Sequence, residues 1–145
     1  MVYDENNIFA KILRGEIPCH KIYEDEDTLV FLDIMPGTEG HALVVTKERA
    51  RDLFDIKPEA LAKLMAVVQK LAPKIKEAVG DGVLIQQFNG SAAGQTVFHL
   101  HVHIVPIKQG VPVKPHAGQM EDQAKLAATA QKIRRTLTSN WRGDK

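Results

Sequence analysis

The segment Val97–Ile107 (VFHLHVHIVPI) constrains the fold of this chain more than any other feature, because histidine alternates there with aliphatic residues. Successive side chains of a β-strand point to opposite faces, so the pattern predicts a strand. Three histidines then share one face: His99, His101 and His103. The aliphatic residues between them are expected to pack beneath a helix: Leu100, Val102 and Ile104.

The rest of the chain predicts an α+β fold with five strands, because helical patterns occur at its start, middle and end. The predicted strands are Lys21–Asp25, Thr28–Ile34, His41–Thr46, Gly82–Phe88 and Val97–Ile107. The predicted helices are Asn6–Arg14, Pro58–Val79 and one that contains Leu126 to Leu137. Pro73 lies inside the second helix, and the loss of its backbone donor predicts a kink or a break near Ala72.

The length and charge of the chain limit its class. A chain of 145 residues fits a single domain, with residues 108–145 as a C-terminal loop and helix. The net charge of +1 makes nucleic acid an unfavourable partner. We expect no membrane association, since no apolar run approaches the roughly 20 residues that span a bilayer. The single cysteine, Cys19, and the polar N-terminus favour a reducing, cytoplasmic location.

Three interpretations of the histidine row compete. The rings could be buried polar side chains, but three of them would then be desolvated together without benefit. They could bind a metal such as zinc, or one of them could act as a nucleophile. The preceding loop, Asn89–Thr96, contains two glycines and several small polar residues, and the backbone N–H groups of such a loop suit an anion. No carboxylate lies in this segment to serve a catalytic zinc ion, so the donor-rich set favours phosphate.

The run His99-Leu100-His101-Val102-His103-Ile104-Val105 resembles the signature of the histidine-triad (HIT) superfamily. The segments IFAKILRGEIP, YEDEDTLVFLDIMPGTEGHALVV and GQTVFHLHVHIVP resemble the same family in the expected order. This resemblance implies a five-stranded antiparallel sheet with flanking helices, often in a homodimer. It also implies hydrolysis or transfer at the α-phosphate of a purine nucleotide, as in phosphoramidates, acyl-adenylates or dinucleoside polyphosphates.

The resemblance also implies roles for individual residues. His101 would be the nucleophile that forms a nucleotidyl-histidine, with His103 on the phosphate, His99 supporting the row and His41 beside it. The remaining catalytic position is Thr96, near the leaving group. Asp33 would bind the ribose, and the residues on the phosphate side would be Asn89, Gly94 and Gln95. The apolar walls around the base would be Phe9, Ile12, Phe31 and Ile34.

Two departures from the family pattern matter. Many bacterial relatives bind structural zinc through Cys-Ile-Phe-Cys, where this chain has Asn7-Ile8-Phe9-Ala10, and a further expected histidine is Arg49. We therefore predict no metal site and no cofactor. The segment after Pro106 also lacks the tryptophan-proline stretch of the adenosine phosphoramidase branch. Three alternatives therefore stay open: a dinucleoside polyphosphate hydrolase, a nucleotide-binding module with incidental hydrolysis, and a metal-dependent enzyme.

Overall fold

One antiparallel sheet organises the molecule, with its five strands in the spatial order β1-β2-β3-β5-β4. The computed structural model describes residues 2–115 and 118–139, so parts of the predicted domain (1, 116–117 and 140–145) lie outside the described residues. The strands are β1 (Lys21–Glu24), β2 (Thr28–Leu32), β3 (Ala42–Thr46), β4 (Gly82–Gln86) and β5 (His101–Ile107). The predicted α+β architecture with a five-stranded antiparallel sheet is confirmed.

The described residues form three α-helices: α1 (Ile8–Leu13), α2 (Pro58–Val79) and α3 (Gln123–Ser139). Helix α1 is shorter than predicted, because Asn7 is its cap and accepts a hydrogen bond from the Ala10 N–H at 2.9 Å. A short 3-10 helix, Ser91–Ala93, lies in the loop before β5. None of the helices in the described part of the chain is both long and apolar enough to span a bilayer.

The two faces of the sheet pack against two separate clusters of buried residues. On one face, β2, β3 and β5 pack against α2 and α3, and the aliphatic positions of the histidine segment are part of that core: Leu100, Val102 and Ile104. On the other face, a smaller cluster forms under α1: Phe9, Leu29, Phe31, Leu43 and Val45. Because His103 pairs with Leu43 and His101 with Val45, both histidines belong to this second face. The predicted division of the strand into a core face and a histidine face is confirmed.

Of the kink or break predicted near Ala72, the break is wrong, because α2 runs without interruption through Pro73. Proline removes one helical hydrogen bond but leaves the helix intact when packing holds both sides of it. Leu71 and Ile75 flank Pro73 and are both completely buried in the main core. Their burial holds the two halves of α2 in one helix.

Strand β5 begins at His101, whereas the alternating pattern predicted a start at Val97. The preceding residues leave the regular ladder: the Leu100 N–H donates to the Ala50 carbonyl at 2.9 Å, beyond the end of β3. His99 is therefore positioned by an irregular segment, although it is as buried as the other two histidines of the row, with 1% of its surface exposed.

Candidate active site

A cleft opens between α1, the end of β2 and the start of β5, and it collects most of the predicted site residues. Two of the histidines line it, together with the apolar and polar positions predicted to bind nucleotide and the predicted leaving-group residue: His101, His103, Phe9, Ile12, Phe31, Asp33, Ile34 and Thr96. Five predicted site residues do not line the cleft, but most of them contact or position residues that do: His99, His41, Asn89, Gly94 and Gln95.

The backbone determines the protonation of His101. Its Nδ1 lies 2.6 Å from the carbonyl oxygen of His99. A carbonyl can only accept, so Nδ1 carries the proton and Nε2 of the neutral ring carries the lone pair. The ring of Phe9 packs edge-on against the imidazole, with 4.8 Å between the centroids. His101 thus presents an unprotonated nitrogen while two contacts hold its ring.

His41 and His103 are hydrogen-bonded to each other. A backbone amide determines which nitrogen of each neutral ring carries the proton. The Gly37 N–H donates to His41 Nδ1 at 3.0 Å, so the proton of neutral His41 lies on Nε2. That Nε2 is 2.9 Å from His103 Nδ1 and donates to it. His103 Nδ1 is therefore an acceptor, and the proton of neutral His103 lies on Nε2. The result is an N–H donor next to the lone pair of His101, with 5.0 Å between the two ring centroids.

His99 lies behind the cleft and is held at both ring nitrogens. Its Nε2 donates to the Thr46 carbonyl at 2.7 Å, and its Nδ1 is 2.6 Å from the Tyr3 hydroxyl. Burial lowers the pKa of His99, and the hydrogen bond to the Thr46 carbonyl offsets part of that effect. His99 is therefore neutral at pH 7.

Asp33 is buried at the end of β2, where the chain turns towards β3. Its Oδ1 accepts from the Met35 N–H at 2.8 Å, and its Oδ2 is 3.6 Å from His41 Nε2. Its backbone N–H donates to the His41 carbonyl at 2.9 Å, which fixes the carboxylate at the wall of the cleft. The carboxylate and the histidine pair thus form one polar corner of the cleft.

The four apolar positions predicted to bind the base pack in the core clusters and also line the cleft. Phe9 and Phe31 are buried in the smaller cluster and pack edge-on, with 5.5 Å between the ring centroids. Ile12 packs against that cluster and Ile34 against the main core, and both are half-buried. All four also line the cleft. The wall of the cleft is therefore the exposed side of the apolar packing.

The loop Asn89–Thr96 is held closed by its own amide side chains. The Gln95 side chain accepts from the Gly90 N–H at 2.8 Å and donates to the Arg51 and Val97 carbonyls. The Asn89 Oδ1 accepts from the Leu53 N–H at 2.8 Å. The Gln95 amide thus closes the loop and the Asn89 amide joins its start to Leu53, while Thr96 is exposed at the rim of the cleft.

Gly94 gives that loop its turn. It adopts a left-handed conformation with φ of +103°, at the end of the 3-10 helix, and its N–H donates to the Ser91 carbonyl at 3.0 Å. Residues other than glycine rarely adopt this backbone conformation. Gly94 therefore brings the chain back towards the rim where Thr96 lies.

Comparison with known proteins agrees with this geometry. The HIT domain family matches residues 14–110, which hold the histidine row, His41 and Asp33. The chain belongs to the HIT domain family. An uncharacterized HIT-like protein of Mycobacterium tuberculosis is 41% identical over 114 residues, which is 78% of this chain and 79% of the relative.

This HIT domain is also similar to a named enzyme and to a protein of known crystal structure. An adenosine 5'-monophosphoramidase of Schizosaccharomyces pombe is 41% identical over 100 residues, 68% of this chain and 72% of the relative. The crystal structure of a Hit-like protein from Bartonella henselae superposes with a TM-score of 0.89 at 43% identity and covers 94% of this chain and 100% of that chain.

A metal ion fits the polar corner formed by Asp33, His41 and His103 poorly. Asp33, His41 and His103 each offer an atom within 4.8 Å of the others, as a metal site would require. However, His41 receives the Gly37 N–H at one nitrogen and donates from the other, so it presents no lone pair to a metal. At the start of α1, Asn7 caps the helix and Ala10 is a buried methyl group, and these side chains do not fit zinc.

Several functional contacts were not predicted from the sequence. Gly37 sets the tautomer of His41 through its N–H, and Tyr3 bonds to His99 across 96 residues of chain. Cys19 and Val97 line the cleft beside the predicted residues. The turn sequence around Gly37 indicated a tight bend but not its partner, and no sequence pattern connects Tyr3 to the histidine row.

Proposed function

We propose that this HIT domain protein hydrolyses conjugates of nucleoside monophosphates, such as phosphoramidates and acyl-adenylates, at the α-phosphorus. The observation that carries the proposal is the 2.6 Å contact between His101 Nδ1 and the His99 carbonyl. In the neutral ring it leaves a lone pair on Nε2, so the nucleophile needs no separate base. The name of the fission-yeast relative, an adenosine 5'-monophosphoramidase, supports the same class of substrate.

In the proposed reaction, His101 Nε2 attacks phosphorus and a P–N bond forms while the bond to the leaving group breaks. The leaving group departs with the bonding electrons and takes up a proton from water, while the exposed Thr96 hydroxyl at the rim donates a hydrogen bond to it. His103 Nε2–H donates to a phosphoryl oxygen, where negative charge accumulates. Water then attacks the nucleotidyl-histidine, releases the nucleoside monophosphate and restores the neutral imidazole.

The cleft also suits the rest of a purine nucleotide. A carboxylate such as Asp33 accepts hydrogen bonds from both ribose hydroxyls. Phe9, Ile12, Phe31 and Ile34 offer an apolar wall against which a flat base can pack. We therefore propose AMP as the nucleotide product, with the α-phosphate placed between His101 and His103.

Release of AMP from a panel of substrates tests this function. The panel contains an adenosine phosphoramidate, an acyl-adenylate and a dinucleoside polyphosphate, assayed with the wild type, His101→Ala and His101→Gly. Both variants are expected to lose at least ~10³-fold in kcat, since they lack the attacking atom. His20→Ala is the matched control, because His20 does not line the cleft and its ring bonds to Gln123 of α3.

Three outcomes would overturn the proposal. Normal turnover by either His101 variant would show that this imidazole is not the nucleophile. Faster turnover of the dinucleoside polyphosphate than of the other substrates would show that the protein is a dinucleoside polyphosphate hydrolase. Binding of AMP without turnover of any substrate would make it a nucleotide-binding module.

We also propose that two copies of the chain associate through the edge strand β4. This strand pairs only with β5 in the described sheet, so its outer edge has unpaired backbone groups. Leu84 and Ile85 are apolar residues of this strand that are 45% and 44% exposed. Such an edge, long and apolar, is suited to a symmetric partner.

Light scattering after gel filtration tests the dimer. The wild type is expected at twice the chain mass, and Ile85→Glu is expected at the mass of one chain because it would bury a charge at the interface. Met120→Glu is the control, since Met120 is also exposed and lies far along the chain from β4. A monomeric wild type, or a dimer that persists in Ile85→Glu, would contradict this arrangement.

We further propose a reducing, cytoplasmic location. Cys19 is a free thiol in the wall of the cleft, and burial raises its pKa, which keeps it protonated. Fractionation of cells that express the protein, followed by immunodetection, tests the location, and recovery outside the cytosolic fraction would refute it.

A further inference from the structure

We propose that Tyr3 is a positioning residue for His101 and acts through His99; this inference rests on the proposed function of His101. Tyr3 lies in the segment before α1, far from His99 in sequence, yet its hydroxyl is 2.6 Å from His99 Nδ1. The two rings also meet edge-on, with 5.6 Å between their centroids. Tyr3 does not line the cleft, so it touches no substrate and works only through its neighbour.

The tautomer of His99 requires a donor at the position that Tyr3 occupies. His99 Nε2 faces the Thr46 carbonyl at 2.7 Å, so Nε2 carries the proton and Nδ1 is an acceptor. An acceptor buried without a donor costs free energy, and the Tyr3 hydroxyl supplies that donor. Burial raises the pKa of Tyr3, so the hydroxyl keeps its proton.

The backbone around His99 explains why this support matters for catalysis. His99 lies before the start of β5, outside the regular ladder that fixes His101 and His103. Its carbonyl oxygen nevertheless sets the tautomer of the nucleophile, through the contact with His101 Nδ1. The Leu100 N–H, in the same peptide unit as this carbonyl, donates to Ala50, and the two hydrogen bonds of the His99 ring, to Thr46 and to Tyr3, hold the rest of the residue.

The surroundings of Tyr3 show how the N-terminal segment is kept in place. The Arg49 guanidinium lies 5.4 Å from the centre of the Tyr3 ring, and Arg49 forms an ion pair with Glu5. Both charged side chains are more than half exposed, so their attraction is weak. The main contribution of Arg49 is that its guanidinium covers the aromatic ring. Phe9 of α1 packs edge-on against the other side of His99, at 6.5 Å between the ring centroids.

The expected consequence of losing the hydroxyl is a mobile His99 ring. Without a donor at Nδ1, the ring can move its proton from Nε2 to Nδ1 and lose the bond to Thr46. A donor at Nδ1 also favours the neutral ring, so its removal raises the pKa of His99. In either case the carbonyl that orients His101 is held less firmly, and the fraction of molecules ready for attack falls.

The test compares Tyr3→Phe with Tyr23→Phe. Phenylalanine at position 3 keeps the ring, and with it the contacts to His99 and Arg49, but removes the donor. Tyr23 is the matched control, because its hydroxyl donates to Asp25 at 2.9 Å in another part of the molecule. We expect Tyr3→Phe to lower kcat about 5-fold with KM unchanged, the effect of one neutral hydrogen bond.

A purely structural role for Tyr3 would lower Tm without changing the pH profile. We expect the acid limb of kcat against pH to move to higher pH in Tyr3→Phe, because protonation of His99 becomes easier. Wild-type kcat and an unchanged acid limb in this variant would overturn the proposal even if His101 is confirmed as the nucleophile.

Nitrogen NMR of the histidine rings separates this inference from the proposed function. In the wild type, His99 is expected as the Nε2–H tautomer and His101 as the Nδ1–H tautomer. In Tyr3→Phe, the His99 pKa is expected to rise and the His101 signals to show a mixture of tautomers. Unchanged ring signals would refute the role of Tyr3, and this holds even for a protein that turns over none of the tested substrates.

Discussion

Gly40 offers the most direct test of how the fold positions the site. It precedes His41 and has φ of +88°, a left-handed conformation that alanine adopts only at a cost. A Cβ atom at this position would lie 2.5 Å from Val79 Cγ2 and 3.3 Å from Pro106 Cγ. Gly40→Ala therefore strains the backbone and forces the end of α2 away from the sheet.

The size of the effect follows from these two contributions. A left-handed backbone costs alanine about 1–2 kcal/mol. Carbon atoms normally approach to about 3.5–4.0 Å, so Val79 must move by about 1 Å, and overpacking of this kind costs about 1–3 kcal/mol. We expect the free energy of unfolding to fall by about 3 kcal/mol, which lowers Tm by about 10 °C in a domain of this size.

Thermal unfolding of four variants measures these contributions separately: Gly40→Ala, Val79→Ala, the double variant Gly40→Ala/Val79→Ala, and Gly82→Ala. Gly82→Ala is the matched control, because a Cβ at Gly82 meets no atom within 4 Å, and its Tm is expected to stay close to that of the wild type. In Gly40→Ala/Val79→Ala the overlap is relieved while the backbone strain remains. The double variant should therefore be more stable than the sum of the single effects predicts, by about 1 kcal/mol.

The same substitution tests the connection to catalysis. A shift of Gly40 displaces His41, whose ring donates to His103. We expect kcat of folded Gly40→Ala to fall at a temperature well below its Tm. If Gly40→Ala were as stable as Gly82→Ala, the reasoning from the left-handed turn and the Val79 contact would be wrong.

Three further predictions concern the histidines and metal ions. His99 has a lowered pKa in the folded protein, so the unfolded chain takes up the proton first; stability is complete above pH about 6.5 and is lost as the pH falls below it. This loss should be smaller in His99→Gln, when chemical denaturation is followed between pH 7.5 and 5, and an identical pH slope would contradict it. His101→Asn is expected to fold with a loss of about 1 kcal/mol, since the side chain lines the cleft but also packs on Phe9, and a much larger drop in Tm would place His101 in the core. Turnover is expected to be unchanged after dialysis against EDTA, and a loss that zinc restores would revive a metal-dependent mechanism.

The alternation of His99 to Val105 was enough to predict much of the structure. Period-two spacing separates two faces of a strand whatever surrounds it, so the division into an aliphatic core face and a histidine face was readable. The stripe of apolar residues in Pro58–Val79 predicted α2 with its observed ends. The prediction that the row binds phosphate rather than metal followed from the donors near it, and it stays a prediction.

Other features needed contacts between distant parts of the chain. The break predicted at Pro73 fails because buried neighbours on either side hold α2 together, and local propensity does not contain that packing. The start of β5 at His101 depends on where Leu100 finds its partner, which is the carbonyl of Ala50. Asn89 and Gln95 are predicted from the sequence to lie on the phosphate side, but the contacts of their amides with Leu53 and Gly90 are seen only in the structure.

The sequence by itself determined which residue types are present and which side of each element they occupy, because helical and strand periods are local properties of the backbone. Only the tertiary structure decided which nitrogen of each imidazole carries a proton. That choice depends on the acceptor or donor opposite each ring, and the carbonyl of Thr46, the N–H of Gly37 and the hydroxyl of Tyr3 come from distant points of the chain. The chemistry of the row is therefore a property of the folded chain.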